Sequence, residues 1–393
     1  MNTFLRLLLW KTAPAVRLLA SLHTLVVLFA LLLPACRPDP DDGDLPDADA
    51  EESLDPVPPR RTTLVVDGCA IDATQGSSLR AEETRRVVSE VVLLCLSLTD
   101  RGAVTLRGGH AQAALKSLIA DLRGLGYATT LGITAVDADD DEQPADELAG
   151  WLGRAGWRTA SVQALVPYAM QSDGLQLMLP DLTNAARADL TRWVTALAAR
   201  LHPQYRLGLF VPPSVRQPSD VEGGDAYDLS ALAAQVDRVR ILSLDAASGD
   251  APGSSIDADW TLQTAALALK YVPADKLDVS LSLHGVDFRL QPGPTRTIAE
   301  ETAVTFAEAQ ALVTQHAATP QGGDGDALHF TYRDSSNNDH EVWYEDSASV
   351  LQALRDLPTA TLPATVGVVL FSLGDEDPDL WSDLDEALPV DAR

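Results

Sequence analysis

The chain has 393 residues, with 57 acidic against 29 basic side chains and a formal net charge of −28. That balance argues against nucleic acid and anionic membrane surfaces as partners, and favours neutral or cationic ones. Three cysteines without a CxxC pair or a nearby histidine argue against zinc, and neither a metal nor a cofactor is expected.

The first 35 residues read as an export signal. Arg6, Lys11 and Arg17 supply positive charge with no acid among them. An apolar run from Leu18 to Leu33 follows, broken by Ser21, His23 and Thr24, and it closes in Leu33-Pro34-Ala35-Cys36. A basic start, an apolar core and a small residue before the cleavage point are the marks of a secretory leader. The cysteine after that small residue resembles a bacterial lipobox, although Pro34 is unusual at its place. Cys36 is therefore the expected lipid-attachment residue of an exported, membrane-anchored lipoprotein of the bacterial cell envelope. An uncleaved anchor is the alternative, but the run is short of the roughly 20 residues a membrane span needs. Residues 36–61 interleave acids, such as Asp39, Asp41, Asp42 and Glu51, with prolines at 38, 40, 46, 56, 58 and 59. With almost nothing apolar to bury, the segment is expected to be a solvated, extended linker.

From residue 62 onward the chain alternates short apolar runs with helical patterns, the signature of parallel βα units. Thr63–Val66 is the first expected strand and Leu79–Ser89 the first helix. Glu90–Leu98 is near-continuously apolar, as a strand buried on both faces should be. A helix over His110–Leu125 and a strand over Ala128–Val136 follow. The polar Asp139–Glu147 cluster leads into a helical region that holds Trp151 and Trp157. Gly174–Leu179 is the fourth strand. Leu190, Trp193, Val194, Leu197 and Leu201 make one apolar stripe on a helix over 184–201. Strands are expected at Tyr205–Val211, Val236–Leu244, Asp278–Leu283 and Val366–Leu373, with a helix over Trp260–Tyr271. Eight strand–helix steps fit an α/β fold, a (β/α)₈ barrel over residues 62–393. The Gly-, Asp- and Asn-rich stretch of about 288–345 reads as an insertion between strands seven and eight. Cys69 and Cys95 fall in apolar runs and are expected as buried thiols, with a disulfide between neighbouring strands as the alternative in an exported protein.

The fourth strand reads Asp173-Gly174-Leu175-Gln176-Leu177-Met178-Leu179-Pro180. It resembles the D-G-x-D-x-D-x-E signature of family 18 glycoside hydrolases, in the branch of chitinases and spore-cortex lysins. The resemblance extends to Leu201-His202, Val211-Pro212-Pro213, Tyr227-Asp228, Val342-Trp343-Tyr344-Glu345-Asp346 and Leu373-Gly374-Asp375-Glu376-Asp377-Pro378 with Trp381. It implies a substrate-assisted hydrolysis, an exception to the usual two-carboxylate scheme. In that family the glutamate protonates the leaving oxygen, and the aspartate two residues earlier orients the N-acetyl group. Here those places hold Pro180 and Met178, and the preceding aspartate is Gln176. Further changes replace groups that the family uses on substrate. Strand six ends Leu242-Ser243-Leu244-Asp245 where the family has M-x-Y-D. His284 takes a tyrosine's place, and Phe371 that of the tryptophan forming the sugar floor.

The resemblance therefore implies a retained scaffold without a catalytic residue. The expected function is binding of an N-acetylated glycan, of peptidoglycan or chitin type, or of an envelope protein. Ligand-binding candidates are Asp173, Gln176, Met178, Asp245, His284 and Phe371, with Asp245 the main polar anchor. Asp287 is a further candidate at the barrel mouth. The alternative is an active glycosidase with relocated carboxylates, Asp181 being the acid nearest the lost glutamate. Trp151, Trp157, Trp193 and Trp260 are expected to pack in the helical shell.

Overall fold

The computed structural model describes residues 57, 59–134, 145–179, 182–214, 226–244, 251–292, 297–358 and 361–388. Cys36, Pro180, Asp181 and Asp245 lie outside these residues, as do the export signal and nearly all of the linker. In chain order the barrel begins with β1 (Thr62–Val66), α1 (Ala73–Arg80), α2 (Glu82–Val87), β2 (Glu90–Leu98) and β3 (Val104–Leu106). It continues through α3 (Gln112–Gly124), β4 (Ala128–Thr134), α4 (Ala145–Gly153), α5 (Ala155–Ala169), β5 (Gly174–Met178) and α6 (Arg187–Leu201). Then come β6 (Arg206–Val211), α7 (Leu229–Ala233), β7 (Arg238–Ile241), α8 (Ala258–Ala268) and β8 (Leu277–Ser282).

The next strands, β9 (Gly285–Leu290), β10 (Ile298–Val304), β11 (Gln321–Gly323), β12 (Asp326–Arg333) and β13 (Asp339–Tyr344), make a separate sheet, with α9 (Phe306–His316) between β10 and β11. The chain returns through α10 (Ser347–Arg355), β14 (Gly367–Phe371) and α11 (Leu380–Ala387). Strands β1, β2, β4, β5, β6, β7, β8 and β14 pair in parallel, and the β1–β14 ladder closes the ring. The fold is a (β/α)₈ barrel with an inserted sheet, as the eight-step alternation implies. β3 adds one antiparallel edge to β2.

Every residue of β2 is buried, which is why its nine positions hold no exposed-strand alternation. Around the barrel Trp157 packs at a tilt between Trp151 and Trp193, with centroids 6.1 and 5.7 Å away. Its Nε1 donates to Thr99 O at 2.8 Å, and that of Trp193 to Ser161 Oγ at 2.9 Å. These tryptophans serve the shell, as the helical pattern implies, since a buried indole N–H needs a partner.

Two local expectations change. The single helix over Leu79–Ser89 is instead two short helices, the first opened earlier by a capping box between Asp72 and Gln75. The sixth barrel strand starts at Arg238 and stops at Ile241, with Leu242 N still donating to Val211 O at 2.9 Å.

The inserted sheet is antiparallel, in the order β10-β9-β13-β12-β11. Val304, Ala309, Phe330, Val342 and Tyr344 form a small core of their own between that sheet and α9. Gly285 opens it at a point where any Cβ would collide with the β13 backbone at Trp343 and Tyr344.

Candidate functional site

Alternation along the strands sends every second side chain into the barrel. At the level of the strand starts those side chains are polar. Glu90 Oε2 accepts from Arg240 Nη2 at 2.6 Å, and Oε1 accepts from Thr130 Oγ1 at 2.9 Å and from Gln176 Nε2 at 3.4 Å. Arg240 Nε lies 3.3 Å from Asp278 Oδ2, and Asp278 also pairs with Arg61. Arg240 and Asp278 are wholly buried. Burial alone would push the Glu90 carboxyl up, but Arg240 and the Thr130 hydroxyl hold it below the usual carboxylate range. Gln176 is thus a partner of the protein. Gly208 faces it from β6, and any side chain there would overlap its amide.

Two residues further along the strands the interior turns apolar. Val65, Val92, Leu94, Met178, Phe210, Leu244, Val369 and Phe371 form one buried cluster. Phe371 meets Phe210 edge-on, with centroids 6.5 Å apart. Met178 and Phe371 are only 2% and 3% exposed. The structure brings the candidates Met178 and Phe371 together with Leu244, but as a plug across the barrel axis. Phe371 is packed against Phe210 and the rest of this layer.

Asp173 lies at the other end of the barrel, ahead of β5. Its Oδ2 accepts from the Thr129 backbone N–H at 2.7 Å, and its Oδ1 from Arg123 Nη2 at 2.8 Å. Partial burial would raise its carboxyl, but Arg123 and the Thr129 amide bring it below the usual range. Gly174 beside it has φ 155° and leaves no room for a Cβ against the Arg206 backbone. The Asp-Gly pair thus has a scaffold role, bonding β4 and admitting the close approach of β6. Asp287 on β9 is likewise engaged within the inserted sheet, by Tyr332 Oη at 2.6 Å and His340 Nδ1 at 2.8 Å.

Beside the plug, a cavity of about 300 Å³ opens where the C-terminal ends of β1, β8 and β14 meet the start of α9. Asp67, Arg107, His110, His284, Glu308 and Asp375 contribute to its wall. Arg107 pairs with Asp67 and donates from Nη1 to Leu94 O at 2.8 Å. The Cys69–Cys95 disulfide ties the loop that follows β1 to β2. The two cysteines are thus bonded rather than free, because the adjacent parallel strands bring their Cα atoms to 4.6 Å.

His284, a sequence candidate, does reach this wall. It is 2% exposed and holds its Nδ1 at 2.8 Å from Ser282 Oγ. Burial pushes the Asp375 carboxyl up, only partly offset by His284 and by the Ser372 hydroxyl at 2.6 Å. Glu308 caps its own helix, accepting from Thr305 N at 2.9 Å. Asp67, Arg107, His110, Glu308 and Asp375 were not legible as site residues. Asp375 alone carried a signal, since it lies inside the Leu373–Pro378 landmark at the end of the last strand.

No family model matches the chain. Over 201 residues it is 26% identical to an uncharacterized glycosylase, YvbX, of Bacillus subtilis (strain 168), covering 50% of this chain and 55% of that protein. Over 118 residues it is 29% identical to the cortical fragment-lytic enzyme of Bacillus subtilis (strain 168), covering 29% of this chain and 26% of that one. The chain thus spans about half the length, or less, of these curated relatives. Among solved structures it is similar to the spore cortex-lytic enzyme SleL of Bacillus cereus, with a TM-score of 0.69 and 18% identity over 84% of this chain and 75% of that one. It is also similar to a chitinase from Chromobacterium violaceum ATCC 12472, with a TM-score of 0.69 and 22% identity over 84% of this chain and 98% of that one. The resemblance to the branch of chitinases and spore-cortex lysins therefore stands, and the structural likeness establishes the shared fold.

Proposed function

We propose that this chain is an exported, lipid-anchored protein of the bacterial envelope whose barrel binds an N-acetylated glycan without hydrolysing it. One observation carries this reading. Gln176 and Met178, at the places of two family aspartates, are sunk in the barrel, one bonded to Glu90 and the other sealed under Phe210 and Phe371. Neither can orient an N-acetyl group. Pro180, by its chemistry, cannot deliver a proton. General acid–base help is worth about 10²–10⁴-fold, and the nucleophile's orienting group goes with it. The mouth cavity beside the plug supplies polar groups that suit a sugar, with Asp245 as the further anchor expected from sequence. The disulfide supports passage through an oxidising compartment. The leader and Cys36 support the anchor.

A specific observation favours a second reading, hydrolysis by relocated carboxylates. Asp375 and Asp67 share the mouth cavity, and burial makes Asp375 hold its proton longer, as a general acid must. The test uses the full chain in detergent with oligomers of β-1,4-linked N-acetylglucosamine and with peptidoglycan. Binding without new reducing ends supports the proposal. Hydrolysis that disappears in an Asp375→Asn variant replaces it with the second reading.

A further inference from the structure

A second cavity, of about 430 Å³, lies at the seam between the inserted sheet and helices α8 and α10. It shares no wall residue with the mouth cavity. Its volume is in the range of small-ligand pockets, about 300–1,000 Å³, and its wall mixes aromatic surface with a few convergent polar groups. The aromatic part is a cross-strand pair. His329 on β12 lies opposite Trp343 on β13, and their rings stack at 4.2 Å with 12° between planes. Gly322 and Gly325 border the cavity, and a side chain on Gly325 would press on Gln352.

The polar part comes from the barrel side. Gln352 and Asp356 reach the cavity from α10, bonded to each other at 2.9 Å. Glu345 lies 3% exposed at the base and accepts from Ser254 Oγ at 2.6 Å. One wall group is unsatisfied. His329 Nδ1 is buried with no hydrogen-bond partner among the described residues.

We propose that this seam is a saccharide subsite that takes one neutral pyranose ring of a glycan. The ring's apolar face lies against the His329–Trp343 stack. Its hydroxyls meet Gln352 and Asp356. Among the described residues the wall holds Asp326, Glu345 and Asp356 but no lysine or arginine, so a sugar bearing a carboxylate is disfavoured. This subsite does not depend on the mouth reading.

The test titrates full-length protein in detergent with two neutral probes, the β-1,4-linked N-acetylglucosamine tetramer and cellotetraose. Affinity is read by calorimetry and by tryptophan fluorescence. His329→Ala and Gln352→Ala are each expected to weaken binding by about tenfold, equivalent to about 1.4 kcal/mol, while Asp375→Asn at the mouth leaves the seam signal in place. Thermal melting checks that each variant folds, and should His329→Ala not fold, the half-exposed Gln352→Ala decides. Binding that falls only in the seam variants supports the seam and removes support from the mouth. Binding that falls in Asp375→Asn but is untouched by both seam variants overturns the subsite and leaves the mouth reading standing. Absence of binding by either probe overturns both.

Discussion

Arg240 Nη2 donates to Glu90 Oε2 at 2.6 Å across the barrel interior, and both side chains are buried. Breaking a buried pair leaves one uncompensated charge, which typically costs about 3–5 kcal/mol. Arg240→Met is expected to lose stability on that scale in denaturant unfolding, and more than the double variant Glu90→Gln with Arg240→Met. A single variant as stable as the wild type would show that the pair is not a structural anchor.

The same pair has an acid limit. The Glu90 carboxyl is held below its ordinary value in the folded state. Its contribution is therefore full above an unfolded value of about 4.3 and is lost as pH falls through the lower native value. Glu90→Gln is expected to remove this acid-dependent part, so the stability gap between wild type and variant narrows below about pH 4.3. A gap that stays constant down to acid unfolding would contradict it.

The apolar layer makes the lost carboxylates hard to restore. Met178 lies among Val65, Val92, Phe210 and Phe371. An aspartate there would be a buried charge without a partner, costing on the order of 3–5 kcal/mol at neutral pH. Met178→Asp together with Pro180→Glu is expected to unfold at lower denaturant and to show no turnover of N-acetylglucosamine oligomers. Turnover by this double variant would mean that the plug opens on substrate binding.

The disulfide closes a loop between residues 26 apart and holds the segment that lines the mouth beside Asp67. Replacing both cysteines with alanine is expected to cost about 2–4 kcal/mol. The check is a reductant-dependent melting shift in the wild type that is absent in the variant. A shift present in both would place the redox sensitivity elsewhere.

How far these features were legible differs by element. β2 read correctly from end to end because all nine of its positions are buried and apolarity was the signal. That signal failed at Leu242 and Leu244, where apolar residues cap the barrel interior without continuing a strand; burial and strand are separate properties. The polar layer was invisible for another reason. Glu90 and Arg240 lie 150 residues apart, and nothing in either local pattern marks the charge as buried against the other. Asp173-Gly174 read as the remnant of chemistry. Its geometry shows a backbone demand instead, a glycine pressed against Arg206 and an aspartate bonding the neighbouring strand. Apart from His284 and Asp375, the mouth wall was hidden because its charged residues come from distant stretches that carry no motif for a pocket.

Glu345 supports the last prediction, because its carboxyl is shifted in the opposite sense to Glu90. Burial raises it, and the Ser254 and Ser349 hydroxyls offset that only in part. A group whose native value lies above the unfolded one contributes stability that is full below the unfolded value, about 4.3, and is lost as pH rises through the native value. A glutamine side chain cannot ionise, so the Glu345→Gln protein escapes that loss. The amide forfeits some hydrogen bonds to the loop at Ile256, but that cost offsets the whole comparison and does not change with pH. The stability of Glu345→Gln relative to wild type is therefore expected to rise from about pH 4 to about pH 8, measured by denaturant unfolding at each pH. A difference that is flat, or that falls with pH, would show that Glu345 is ionised at no cost and that the seam around it is wetter than its burial implies.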